Sequence, residues 1–281
     1  MTALPQDRAV RAERPAAVQS ARRIYAMVLR YLYLLRGSLP RLLDLCYWPT
    51  MQMLLWGLLT QFLATKTGFF AEAAGYLLAG VLLWDVMFRG NIGIALSFLE
   101  EMWSRNLAQL FASPLRAWEW ALSLFVTTLI RTVIGILPAA LLAIPLYHFS
   151  IFEMGWALVA FFFNLLVFGC AIGLVTSGLV LRWGLGAESL CWAGIFLIQP
   201  ISGVFYPIAI LPDWLIPVAL ALPSAHVFEG MRAVLVDGVF LTHHLWKAMA
   251  LNLVYLALSL AAFLAIFRNA RRRGALLQMG E

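Results

Sequence analysis

Residues 156–181 read WALVAFFFNLLVFGCAIGLVTSGLVL, and no charged residue interrupts them. About 20 apolar residues are enough for a helix to cross a bilayer. Similar apolar runs occupy residues 45–64, 75–98, 120–147, 189–206 and 248–267. The sequence therefore predicts an all-α integral membrane protein with six transmembrane helices.

The composition of the whole chain excludes a soluble globular protein. Of its 281 residues 63% are hydrophobic and 12% charged, and the mean hydropathy is +0.87. Soluble domains are about 45–50% apolar and about 25% charged. A water-facing domain of this size could not bury so much apolar surface.

The arginines are concentrated at the two ends of the chain and predict its orientation. Eight precede the first apolar run and four follow the last, and positive charge marks cytoplasmic segments. We therefore expect a multi-pass protein of the bacterial cytoplasmic (inner) membrane with both termini in the cytoplasm and no cleavable signal peptide. The arginines are Arg8, Arg11, Arg14, Arg22, Arg23, Arg30, Arg36 and Arg41, then Arg268, Arg271, Arg272 and Arg273.

The segment before the first span divides into two parts. Residues 1–19 have the composition of a disordered basic tail, and 268–281 form a second basic tail. Residues 20–37 predict an amphipathic helix with Arg22, Arg23, Arg30 and Arg36 in one sector. Its opposite face carries Ile24, Val28, Tyr31, Leu32 and Leu35. We expect an interfacial elbow helix, with arginines among headgroups and the apolar face in the acyl region; the alternative is a cytosolic helix that binds a partner.

Three charged residues fall inside the second and third spans. Asp85 and Arg89 are spaced i, i+4, and Arg131 lies at a similar depth in the next helix. Ionisable groups are unfavourable in hydrocarbon and need partners. One interpretation is a structural ion pair of Asp85 with Arg89 or Arg131, and the other is a polar site on a substrate or proton route.

The loop at residues 99–116, between the second and third spans, predicts a short amphipathic helix. Leu107, Leu110 and Phe111 share one face and the pattern stops at Ser113-Pro114. Such a helix could dock in a groove on a soluble partner, or lie in the interface without one.

The segment after the fifth span is broken by prolines and predicts short re-entrant half-helices at 207–235, on the outer side. Half-helices in a leaflet must be covered by protein or line a cavity. His226, Glu229 and Arg232 recur every three residues. They indicate either a metal site or a stabilising surface network. The three cysteines (Cys46, Cys170, Cys191) show no metal or disulfide spacing.

Two stretches resemble the membrane-spanning permease subunit of type-2 ABC exporters. The family's loop has an acidic residue, a helix and Ser-Pro-Leu, and its outer signature has the form Ser-Gly-x-Phe-x-Pro, Leu-Pro-x-Trp-Leu and Pro-x-x-His-x-x-Glu-x-x-Arg. The loop residues that we assign by resemblance to coupling with an ATPase are Glu100, Glu101, Trp103, Arg105, Leu107, Leu110, Phe111, Ser113 and Pro114. The signature residues are Ser202, Gly203, Phe205, Pro207, Leu211, Pro212, Trp214, Leu215, Pro223, His226, Glu229 and Arg232.

The resemblance implies a six-helix type-2 ABC domain over 45–267 that pairs with a second copy of itself. It also implies two ATP-binding cassette subunits, which carry ATP and Mg. The chain has no Gly-x-x-x-x-Gly-Lys-Ser/Thr loop, so we expect ATP hydrolysis on the partner and no enzymatic activity or cofactor on this chain. The arginines flank the apolar runs as in membrane proteins, so we expect no nucleic-acid partner. The expected substrate is amphipathic: a lipid, a drug or a lipid-linked glycan. The alternative is an intramembrane lipid-processing enzyme that needs no ATPase.

Overall fold

The computed structural model describes residues 16–65 and 68–272, and within them every regular element is helical. Of the tails predicted at 1–19 and 268–281, residues 1–15 and 273–281 lie outside the described residues, whereas 16–19 and 268–272 are helical, so the disorder predicted for 16–19 is wrong. The helices are α1 (Ala16–Arg36), α2 (Leu39–Ala64), α3 (Gly68–Trp103), α4 (Leu107–Ala112), α5 (Ala117–Tyr147), α6 (Trp156–Trp183), α7 (Leu190–Ile198), α8 (Ile216–Leu220), α9 (Pro223–Val236) and α10 (Thr242–Arg272).

Four of the described helices are long and apolar enough to cross a membrane. They are α5, α6, α10 and the part of α3 from Gly75 to Trp103. At 1.5 Å per residue each exceeds the roughly 30 Å hydrocarbon core. The predicted all-α membrane protein is confirmed, and these helices cover the second, third, fourth and sixth predicted spans.

The first and fifth predicted spans differ from these four helices. The first lies in α2, which has 26 residues but includes Arg41 and Asp44 and is not among the four apolar helices. The fifth is not one continuous helix, because α7 has 9 residues and gives way to a single 3-10 turn, Gln199–Ile201. Pro200 explains the change, since a proline has no N–H to continue the helix.

The centre of the fold is a close crossing of α3 and α6, which share the most extensive contact in the chain. Gly169 and Gly173 on α6 lie directly against backbone carbonyls of α3. A Cβ on Gly173 would stand 2.6 Å from the carbonyl oxygen of Asn91, and one on Gly169 would overlap that of Met87. Small residues at this spacing let membrane helices approach closely. These glycines therefore set the distance between the two helices.

Helix α1 is present where the elbow was predicted, but its apolar residues face protein. Val28, Tyr31 and Leu35 are buried in the core of the chain, and α1 packs mainly on α5. The expectation that this face lies in the acyl region is therefore wrong for these three residues. The amphipathic pattern predicted the apolar face correctly, but a neighbouring helix, and not lipid, covers these residues.

The chain has two distinct ends along the long helices. We call the end that holds α4 the loop end, where α3 and α6 finish and α5 begins. At the far end α5 finishes and α6 begins. Between α7 and α10, the far end holds a 3-10 turn at Ile208–Ile210 and the short helices α8 and α9. The sequence-predicted half-helices at 207–235 correspond to these three segments.

Candidate functional site

A buried carboxylate joins three helices at the loop end. Glu101, near the end of α3, is 1% exposed and accepts hydrogen bonds from the Arg30 guanidinium at 2.5 and 3.0 Å. It also accepts from the Tyr31 hydroxyl at 3.0 Å and the Asn106 amide at 2.8 Å. The Trp120 indole of α5 donates to the Tyr31 oxygen at 3.0 Å. We call these five residues the Glu101 cluster; it ties α1, α3 and α5 together.

The electrostatics of the cluster favour this arrangement. The hydrogen bond to Glu101 raises the pKa of Arg30 above its ordinary value. Burial first, and then the charge of Glu101, raise the pKa of the Tyr31 hydroxyl. Both groups therefore keep their protons at neutral pH and remain donors to the carboxylate.

A second arginine of α1 makes a similar contact, with a carboxylate of α5 instead of α3. Arg23 donates to both carboxylate oxygens of Glu119, at 2.6 and 2.8 Å, and this bond raises the pKa of Arg23. Glu119 also accepts the Arg116 backbone N–H at 3.0 Å, which caps the start of α5. Arg23 and Arg30 lie two turns apart on α1. Each of these two arginines holds a carboxylate, of α5 or α3, and the prediction that they lie among headgroups stays a prediction.

Sequence reasoning missed Glu119, Tyr31 and Trp120. A signal for the Glu119 contact was present: two arginines seven residues apart on α1, and acidic residues next to the ends of two spans. Tyr31 and Trp120 had no such signal, because their hydrogen bond joins residues 89 positions apart.

The 99–116 loop has an exposed tip on a buried base. Trp103 is 48% exposed, and Arg105, Ser113 and Pro114 are exposed as well. Arg105 holds a left-handed backbone with φ of 53°, which turns the chain between α3 and α4. Glu100 is partly buried, and its carboxylate lies 3.4 Å from Arg41. The side chain of Phe111 lies outside the described residues.

The apolar face of α4 turns inward. Leu107 is 3% exposed and Leu110 is 9% exposed, and both pack in the core of this chain. The prediction that these leucines could fill a groove on a soluble partner is therefore wrong. The leucines therefore fix the loop to the bundle, and Trp103 and Arg105 lie on its exposed surface.

The charges inside the long helices are paired selectively. The Arg89 Nε donates to Asp85 at 2.6 Å, one turn along α3. Arg131 on α5 donates instead to the Ser97 hydroxyl at 3.3 Å. The sequence allowed Arg89 or Arg131 as the partner of Asp85, and in the structure the partner is Arg89.

The far-end signature is held together by Arg232 and Glu229 on α9. Arg232 donates to the Gly203 carbonyl at 2.7 Å and to Glu229 at 2.9 Å. Glu229 accepts the Ile208 backbone N–H at 2.8 Å. Gly203 has φ of 65°, which suits glycine. The two side chains thus satisfy backbone groups of the irregular segment after α7, as stabilising groups would.

Two further contacts extend this network. Ser202 and Ser224 share a hydrogen bond at 2.9 Å. His226 is 4% exposed; one ring nitrogen lies 2.9 Å from the Leu220 carbonyl oxygen and the other 3.3 Å from His244 Nδ1. Burial lowers the pKa of His226. Within the described ranges no group of three metal-ligating side chains is close enough to hold an ion.

The remaining signature residues separate into buried and exposed positions. Phe205 stacks on Trp56 of α2, with ring centroids 4.4 Å apart, and Pro223 is buried at the start of α9. Pro207 and Pro212 are exposed, and Trp214 is 75% exposed. The signature therefore combines a folded network with a surface rim.

The fold and these contacts define a multi-pass, all-α membrane protein. Residues 41–236 match the ABC-2 type transporter family, so the chain belongs to that family. The resemblance drawn from the sequence is confirmed, and the family implies association with ATP-binding subunits. A search of curated proteins gives no match.

Proposed function

We propose that this chain is the permease subunit of an ATP-driven exporter and that its 99–116 loop docks on an ATP-binding cassette subunit. The observation that carries the proposal is the form of the loop in a chain of this family: an exposed tip at Trp103 and Arg105, on a base packed into the bundle. No P-loop sequence is present, so the energy comes from a separate protein.

The base of the loop can carry movement into the long helices. The Asn106 N–H donates to the Glu101 carbonyl at 3.0 Å, and its side chain binds the Glu101 carboxylate. A displacement of the tip therefore reaches α3 directly, α1 through Arg30 and α5 through Trp120. Nucleotide binding to the partner would shift the permease between two conformations. The shift can be no larger than the preference of the nucleotide-bound partner for one conformation over the other.

The proposed orientation places the loop end in the cytoplasm and the far end outside. Positive charge supports it, because the arginines of α1 and of the end of α10 lie at the loop end. In this arrangement the membrane is crossed six times: by α2, α3, α5, α6, the segment 185–206 and α10. The membrane is the bacterial inner membrane, and lipid contacts the exposed apolar residues.

An amphipathic substrate is supported by the aromatic surface of α7. Trp192 is 42% exposed and Phe196 is 52% exposed, and both rings lie near Phe88 of α3, at 6.4 and 5.6 Å between centroids. Aromatic faces suit acyl chains, drug rings and sugar rings. The substrate class proposed is thus a lipid, a drug or a lipid-linked glycan.

The docking proposal is tested by co-expression with candidate ATP-binding cassette subunits and purification of the complex. Trp103→Ala should weaken the complex and the ATPase stimulation, since it truncates the loop tip. Trp246→Ala is the matched control, because Trp246 is 66% exposed near the start of α10, at the far end. If both variants reduce complex formation and ATPase stimulation equally, or if neither variant reduces them, the docking role is refuted.

The assembly is proposed to contain two copies of this chain and two ATPase subunits, since one chain offers little protein to enclose a path. Native mass spectrometry in nanodiscs measures the ratio directly. A functional complex with one copy of this chain and one ATPase subunit would refute the proposed two-copy assembly. Conversion of lipid by the purified chain alone would instead support an intramembrane enzyme.

A further inference from the structure

Among the residues that the structure describes, Arg131 lacks the carboxylate partner that five other arginines have. Arg23, Arg30, Arg41, Arg89 and Arg232 each lie within 4.0 Å of a glutamate or aspartate oxygen. Within the described part of the chain Arg131 has no such partner, and it donates a hydrogen bond to a neutral hydroxyl, that of Ser97, at 3.3 Å. Its Nε is buried and has no hydrogen-bond partner there. The guanidinium therefore keeps unused donor capacity and makes no ion pair with a described carboxylate.

The surroundings of Arg131 supply further donors on the same interface. Thr128 and Arg131 are spaced i, i+3 on α5, opposite Gly93 and Ser97, which are spaced i, i+4 on α3. The Thr128 hydroxyl is buried and has no partner among the described residues. A guanidinium Nε only donates and a hydroxyl can donate as well as accept, so a ligand with acceptor oxygens could satisfy both groups.

The neighbouring charges leave the site positive. Glu100 and Arg41 both act electrostatically on Arg131, and these two bind each other at 3.4 Å. Because Arg41 already shares the Glu100 carboxylate, the three residues carry an excess of one positive charge. Ser97 lies roughly 9 Å from the end of α3 at 1.5 Å per residue, so the guanidinium is close to the loop end.

We propose that Arg131 binds a phosphate group at the loop-end mouth of the α3–α5 interface. A phosphate supplies several acceptor oxygens and a negative charge, and the guanidinium fork matches two of those oxygens. Ionisable residues inside membranes mark substrate and ion pathways. The phosphate belongs either to an anionic lipid headgroup or to a free anion. Only its role as part of a transported molecule rests on the proposed permease function.

The experiment measures binding to the full chain in uncharged detergent by isothermal titration calorimetry, without an ATPase. Three probes are compared: dihexanoylphosphatidylglycerol, inorganic phosphate and dihexanoylphosphatidylcholine. Arg131→Gln should weaken phosphate binding by about tenfold or more, because a buried charged contact is lost. Arg182→Gln, an exposed arginine at the end of α6, is the control and should bind like the unmodified chain. Arg131→Lys keeps the charge and should bind with intermediate affinity.

The probes separate the sources of the phosphate. Tighter binding of phosphatidylglycerol than of inorganic phosphate assigns the site to a lipid headgroup, and equal binding assigns it to a free anion. Binding of phosphatidylglycerol and of inorganic phosphate that is unchanged in Arg131→Gln would overturn the proposal, while phosphatidylcholine, whose phosphate is neutralised by choline, tests the need for net negative charge.

A melting experiment separates ligand binding from a structural role. Without ligand, Arg131→Gln should melt no lower than the unmodified chain, because it removes an uncompensated cation. Phosphatidylglycerol should raise the melting temperature of the unmodified chain but not of Arg131→Gln. A lower melting temperature without ligand, together with unchanged affinity, would show a structural role and refute the site. Because no ATPase is present, failure of the proposed function would leave this result unaffected.

Discussion

Glu101→Gln should destabilise the protein far more than the same change at the adjacent Glu100. Glu101 is 1% exposed and accepts hydrogen bonds from Arg30, Tyr31 and Asn106. Glutamine keeps the shape but loses the charge, and its amide turns one donor toward a site that is filled with donors. Glu100 is partly exposed and has one pair, at 3.4 Å to an exposed Arg41.

The size of the effect follows from the number and burial of the bonds. A hydrogen bond to a charged group contributes about 1.5–3 kcal/mol and a neutral one about 0.5–1.5 kcal/mol. Neutralising an acceptor with several partners should therefore cost about 2–4 kcal/mol. The Arg30 side chain is 36% exposed, so solvent screening favours the lower end, about 2 kcal/mol. Loss of the surface pair of Glu100 should cost less than about 1 kcal/mol.

The measurement is the free energy of unfolding from SDS titration in mixed micelles, followed by far-ultraviolet circular dichroism. Glu101→Gln, Glu100→Gln and Arg30→Gln are compared with the unmodified chain, and Arg30→Gln with Glu101→Gln completes a double-mutant cycle. The two losses should not add, with a coupling of about 1 kcal/mol or more, because the residues share one contact. Equal effects of Glu101→Gln and Glu100→Gln within about 0.5 kcal/mol, or an additive cycle, would refute the role given to the cluster.

Three more results are expected. Gly169→Ala should lower the free energy of unfolding by about 1–3 kcal/mol, as over-packing does, while Gly186→Ala, where a Cβ meets nothing within 4 Å, should have little effect in the same titration. Asp85→Asn should lower the melting temperature, and Asp85 should couple with Arg89 by about 0.6–2 kcal/mol in a double-mutant cycle but not with Arg131; the reverse coupling would contradict the 2.6 Å pair. Because burial lowers the pKa of His226, protonation disfavours the folded state, so the stability that neutral His226 contributes should be complete above pH 6.5 and be lost as the pH falls below it. His226→Gln should reduce that fall in stability, and identical pH profiles of the variant and the unmodified chain would refute the assignment.

The sequence predicted local features well and their partners poorly. Asp85 and Arg89 are one helical turn apart, so their pairing needed only the helix itself. Arg30 and Glu101 are 71 positions apart, and nothing in the spacing of either residue joins them. His226 was expected to act with Glu229 and Arg232 on its own helix, whereas it also meets His244 of α10. A contact between helices depends on how they pack, which helical periodicity alone does not specify.

The sequence by itself determined that the chain is helical and lies in a membrane, because apolar runs of sufficient length have no other favourable solvent. It did not determine where α7 stops, because the predicted fifth span ran through Pro200 to residue 206 and α5 continues through Pro138 and Pro145. Only the tertiary structure decided which surfaces the amphipathic faces meet: Tyr31 and Leu107 pack inside the chain rather than against lipid or a partner. The reason is physical, since an apolar side chain gains similar free energy from any apolar neighbour, and only the packed fold determines which neighbour that is.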